Sequence, residues 1–136
     1  MIKTILISMI LSTFATAESY TQVQRVEDMQ KLAQAMQDIQ SGFFYNNLDI
    51  IRDGTKTLQE TIVKVQATDE EKENKDIYER WLQNDLAMSN KIKKRIVKKS
   101  ATMIERFADG DAVQALQNYS KISQECLKCH VRLRKW

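Results

Sequence analysis

Cys126-Leu127-Lys128-Cys129-His130 contains both cysteines and the one histidine of this 136-residue chain. Cysteines at i and i+3 share one face of a helix, and C-x-x-C-H is the attachment sequence of c-type haem. Each sulfur can form a thioether with one vinyl group along a haem edge, and His130 then supplies the proximal ligand to the iron. The pattern predicts one haem c, held covalently through Cys126 and Cys129. A Cys126–Cys129 disulfide would instead make a redox motif. Such motifs favour helix N-termini, where the dipole lowers a thiol pKa, whereas this one lies near the end of a helix. A structural zinc site needs four protein ligands, and these three residues leave it one short.

The elements that must position this motif are helical. The chain has no proline and three glycines, Gly42, Gly54 and Gly110. Ala, Leu, Ile, Lys, Glu and Gln dominate, which favours helix over sheet. A first helix is predicted from near Ser19 or Thr21, with the stripe Val26, Met29, Leu32, Met36, Ile39, Phe43 at alternating spacings of three and four. Asn46-Asn47 offers an N-cap for a second helix with Leu48, Ile51, Leu58, Ile62 and Val65, ending near Gln66. Thr68 and Glu71 fit a capping box for a third, running from about Glu70 to Phe107, though its first turns up to Asp76 are polar enough to be loop. Its face carries Tyr78, Trp81, Leu82, Met88, Ile92, Ile96, Met103 and Phe107. After the turn Asp109-Gly110-Asp111, a fourth helix carries Val113, Leu116, Tyr119, Ile122, Cys126, Leu127, Cys129, His130 and Leu133. The expected fold class is all-α, an antiparallel four-helix bundle.

Lys3, the apolar run Thr4–Phe14 and the small residues Ala15-Thr16-Ala17 describe a secretory signal peptide, residues 1–17. The run is too short to span a bilayer, so no stable membrane insertion is expected. Cleavage after Ala17 leaves the bundle domain, residues 18–136. It also removes Lys3 and lowers the formal charge from +3 to +2, too mild for a nucleic-acid binder. Export places the cysteines in an oxidising compartment.

With the motif at the end of a four-helix chain, the sequence resembles the cytochrome c′ family, class II c-type cytochromes, over the whole mature chain. Away from the motif the likeness rests on helix layout and a few residues. Family members are exported bundles with C-x-x-C-H near the C-terminus of the last helix. Arg134, four positions after His130, matches a basic residue that adds positive charge beside the proximal histidine. Arg25 and Met29 match an arginine one turn before the residue over the distal face of the iron. An apolar distal residue leaves the iron five-coordinate, binding nitric oxide or carbon monoxide. A methionine, as in the c-556 type, makes it six-coordinate and suited to electron transfer.

The resemblance thus implies a periplasmic one-electron carrier with His130 and Met29 as iron ligands. The alternatives are Met36, one heptad on, as sixth ligand, and a five-coordinate gas binder. Methionine on an apolar helix face is also common core filler. Arg25 is either a partner for a haem propionate or a solvated helix residue, and Arg134 has a similar choice. No general acid or base stands near the motif, so no enzyme activity is expected. Lys91–Lys99 carries six positive charges in nine residues. With Ile92 and Ile96 turned inward, these read as a solvated outer face or as a docking patch for an acidic redox partner. The family's pairing through its first two helices leaves a homodimer open. Phe43 and Tyr45 cannot both face inward on one regular helix.

Overall fold

The computed structural model describes residues 19–74, 76 and 86–134. The segment read as a signal peptide, the predicted core residues Tyr78, Trp81 and Leu82, and Trp136 lie outside the described residues. What is described is all-α: α1 (Gln22–Phe44), α2 (Leu48–Ile62), α3 (Asp69–Glu73), α4 (Leu86–Ala108) and α5 (Ala112–Arg134). No helix among these residues is long and apolar enough to cross a membrane.

Each start has a local cause. Thr21 caps α1 in a full capping box with Gln24, satisfying backbone donors that a helix N-terminus leaves open. Asn47 caps α2 through its side-chain oxygen, which accepts from the amides of Asp49 and Ile50. Between α1 and α2 the chain reverses at Asn46, whose φ of 51° lies in the left-handed region that Asn tolerates. Thr68 and Glu71 form the predicted capping box, but α3 ends by Glu73, with Asn74 extended. Gly110, at φ 84°, makes the turn into α5.

The core is built from Leu32, Ala35 and Ile39 of α1, Ile51, Leu58 and Ile62 of α2, Ile92, Ile96 and Met103 of α4, and Ala115 and Ile122 of α5. Val65 joins it although α2 has already ended. Helices α1 and α2 pack on each other, as do α4 and α5, and α2 packs on α4. The α2–α4 contact is also polar. Gln59 Nε2 donates to Ser100 Oγ at 2.8 Å, and that hydroxyl donates to the Val97 carbonyl at 2.9 Å. Phe43 is the aromatic that turns inward, edge-on to Phe107 and Tyr119 with ring centroids 5.3 and 6.0 Å apart, whereas Phe44 and Tyr45 are exposed.

Two expectations about faces are corrected. Val26 points outward, and its neighbours Arg25 and Asp28 are buried instead. Near the start of α1 the surface is covered by the segment before α3, and that cover is polar. Tyr20 N donates to Asp69 Oδ2 at 2.9 Å, Asp69 N returns a bond to Tyr20 O at 3.0 Å, and Tyr20 OH donates to Asp28 Oδ2 at 3.1 Å. On α5, Val113, Leu116 and Leu127 are exposed, and the inward row narrows to Ala115, Tyr119, Ile122, Cys126 and Cys129.

Helices α1 and α2 approach closely at Gly54. A Cβ there would lie 3.0 Å from the Ala35 carbonyl oxygen and 3.2 Å from the Ile39 nitrogen, both backbone atoms, and 2.9 Å from Ile39 Cγ1. Alanine would gain about 1 kcal/mol of helix propensity but forces the two backbones apart. Overpacking of this kind typically costs about 1–3 kcal/mol. Gly54→Ala is therefore expected to destabilise by about 1 kcal/mol net. Urea unfolding followed by circular dichroism checks the sign, as a lower midpoint with unchanged slope.

Candidate functional site

The narrow inward row of α5 ends on a cavity of about 160 Å³. Cys126, Cys129 and His130 all line it, because i, i+3 and i+4 fall on one helical face. Opposite them α1 contributes Met29, Leu32, Ala33 and Met36, spaced on the same rule. Ile62 and Val65 close one side, and Ser89, Ile92, Lys93 and Ile96 of α4 close another. Both cysteines, the histidine and both methionines are half-buried. The motif and the candidate sixth ligands, about a hundred residues apart in sequence, thus meet around one apolar space.

The two sulfurs are not joined to each other. Burial, with the Cys129 sulfur as a second cause, pushes the Cys126 thiol up to about 11. Nucleophilic C-x-x-C cysteines sit at the other extreme, with a lowered pKa, so this environment opposes dithiol exchange chemistry. Among the described residues, no three His, Cys, Asp or Glu side chains converge closely enough to hold an ion. What the arrangement offers is two sulfurs on one wall of an apolar cavity, an imidazole beside them and thioethers across it. Sulfur, imidazole and thioether are donors suited to a transition metal.

Glu125, next to Cys126 in sequence, faces away from the cavity. It is buried, with Lys128 Nζ at 3.2 Å and Arg95 Nη1 at 3.6 Å. Tyr119, two turns before Cys126, donates its hydroxyl to the Met36 carbonyl at 3.2 Å. Burial pushes the Tyr119 phenol up, with the Cys126 sulfur adding to the shift.

Arg25 does not reach the cavity. Its guanidinium takes Glu71 in a two-pronged pair, Nη1 at 2.6 Å and Nη2 at 2.8 Å, and also bonds Gln22 Oε1. Arg25 is buried by this pair, which fastens the start of α1 to the capping box of α3. Arg134 is the last residue of α5, and its side chain lies outside the described residues.

Lys93 was missed. Within a run read as outward-facing, it is half-buried and lines the cavity, and burial pushes its ammonium pKa down. A signal was available: Ser89, Lys93 and Ile96 continue at helical spacing beside the Ile92–Ile96 face. Lysine stems readily lie along apolar surface with the charged end led outward.

No protein-family model matches the chain, and neither the curated proteins nor the solved structures yield a match.

Because the folded state holds the Cys126 proton more tightly than the unfolded chain, stability falls as pH rises from about 8.5 to about 11. Below that window this thiol contributes no pH dependence. In the chain with unmodified thiols, iodoacetamide should alkylate Cys126 at pH 8 roughly two orders of magnitude more slowly than in urea. Trypsin cleavage at Lys128 separates the two cysteines, so mass spectrometry reads each rate on its own peptide.

Proposed function

We propose that this chain is a periplasmic c-type cytochrome of the class II, cytochrome c′-like kind, a one-electron carrier with a single covalent haem. The observation that carries the reading is the cavity itself, where Cys126, Cys129 and His130 line one wall and Met29 another. In this reading α1, α2, α4 and α5 form an antiparallel four-helix bundle. Short turns between α1 and α2 and between α4 and α5 support it.

The chain's own residues would divide the work. Cys126 and Cys129 would anchor the haem by two thioethers, and His130 would hold the iron from the α5 side. Apolar side chains from α1, α2 and α4 would exclude water. The haem would supply the one-electron couple, and a methionine thioether added to the histidine ligand would favour its reduced form. No side chain needs to move a proton, in keeping with a carrier rather than an enzyme.

Helix register supports Met29 as the sixth ligand over Met36. Tyr119 reaches the Met36 carbonyl, so these two turns are level. Seven residues, about 10 Å of helix, separate Met36 from Met29 on α1 and Tyr119 from Cys126 on α5. Running the two helices in opposite directions brings Met29 level with the motif and leaves Met36 level with Tyr119. Export follows from residues 1–17, and Arg134 remains the proposed source of positive charge beside His130. Arg25, held by Glu71, serves the fold in this reading.

Co-expression with a haem-attachment system, followed by a haem-stained denaturing gel, tests the cofactor, since covalent haem survives denaturation. The ferrous protein should show a sharp low-spin spectrum that turns high-spin in Met29→Ala and persists in Met36→Ala. A high-spin wild type taking up carbon monoxide readily would replace the carrier with a gas-binding cytochrome c′. Absence of stain would sink both.

A further inference from the structure

The cavity adjoins a surface region that the electron-carrier reading does not by itself identify. Lys93 and its helix neighbours border a second, shallow groove with Val63, Asn90, Lys94, Val97 and Lys98. Lys93 lines both the groove and the cavity, so the two adjoin at this side chain, between the end of α2 and the outer face of α4. The groove floor is apolar, with Val63 59% exposed and Val97 half-buried. Its rim is cationic, and the charge continues along α4 into an adjoining groove that shares Lys94 and Lys98 and adds Lys91.

These charges differ from others nearby. Among the described residues, Arg95 and Lys128 are partly neutralised by Glu125. Among the described residues Lys91, Lys94 and Lys98 have no ion-pair partner, and all three are exposed. A small apolar floor ringed by unneutralised charge of one sign is the anatomy of a transient interface that steers an oppositely charged partner.

We infer that the groove beside Lys93, next to the cavity, is where the protein exchanges its electron, and that the partner docked there is a redox protein presenting an acidic face to Lys91, Lys94 and Lys98. The inference rests on the haem reading. In the exchange, ferrous haem iron is oxidised to ferric and the partner's acceptor is reduced by one electron, with no bond or proton transferred.

The test uses hexacyanochromate(III), a redox-inert paramagnetic trianion, with the amide NMR spectrum of the full mature protein. Line broadening should centre on Val63, Asn90, Lys94 and Lys98. It should vanish in Lys94→Glu and Lys98→Glu and survive in Lys31→Glu and Lys121→Glu, which change net charge equally at exposed sites elsewhere. Oxidation of the ferrous protein by ferricyanide should slow about three- to tenfold in the first pair at about 0.1 M salt and much less in the second. Broadening spread evenly over all lysines, or equal slowing in the four variants, would reduce the effect to net charge and overturn the inference. Co-sedimentation with phosphatidylglycerol vesicles, lost in the same two variants, would assign the surface to anionic lipid and overturn it too. A chain that takes no covalent haem yet keeps the localised broadening defeats the carrier reading and the electron exchange, leaving only an anion-binding face.

Discussion

The spacing of α1 and α2 at Gly54 sets the frame for everything else. With no side chain there, the backbone of α2 rests against the Ala35 carbonyl and the amide of Ile39. Ala35 and Ile39 are then sealed completely, which fixes the rotation of α1 about its axis. That rotation turns Met29, Leu32 and Met36 toward α4 and α5. A larger separation would let α1 roll, and the two thioethers would lose their common direction. A glycine that weakens α2 taken alone thereby orients the wall that faces the motif.

The α5 wall is oriented by a different device. Its inward row is narrow, made of Ala115, Tyr119, Ile122, Cys126 and Cys129, with leucine and valine left outside on both flanks. Phe43 meets Phe107 and Tyr119 edge-on at one end of the array. The buried Glu125, with Arg95 and Lys128, holds the side of α5 that faces away from the cavity. The motif thus has apolar contacts on one side, and on the other a single charged link between helices, from Glu125 to Arg95 of α4 at 3.6 Å.

Much of this was legible in the sequence, for physical reasons that can be named. Helix identity followed from composition and periodicity, and Asn47, Thr68–Glu71 and Gly110 marked boundaries because capping and left-handed turns demand particular residues. Helix faces put Met29 on a buried stripe with Met36, and only the family resemblance pointed to its meeting with Cys126, Cys129 and His130 at one cavity. Polar burial was not legible. Arg25 reads as a surface or cofactor-facing residue because its partner, Glu71, lies 46 positions away. That pairing is a tertiary fact with no local pattern. Lys93 was hidden for the opposite reason: a run of like charges suggests one uniform face, yet 100° per residue must turn one member inward.

The buried sulfur of Cys126 has a consequence for timing. Disulfide exchange and oxidation both proceed through the thiolate, and with its thiol pushed up to about 11 this site holds roughly 100-fold fewer thiolates at neutral pH than an ordinary cysteine would. The fold thereby gives Cys126 a chemical latency: while the chain is folded its sulfur reacts slowly through the thiolate route, and unfolding restores ordinary reactivity.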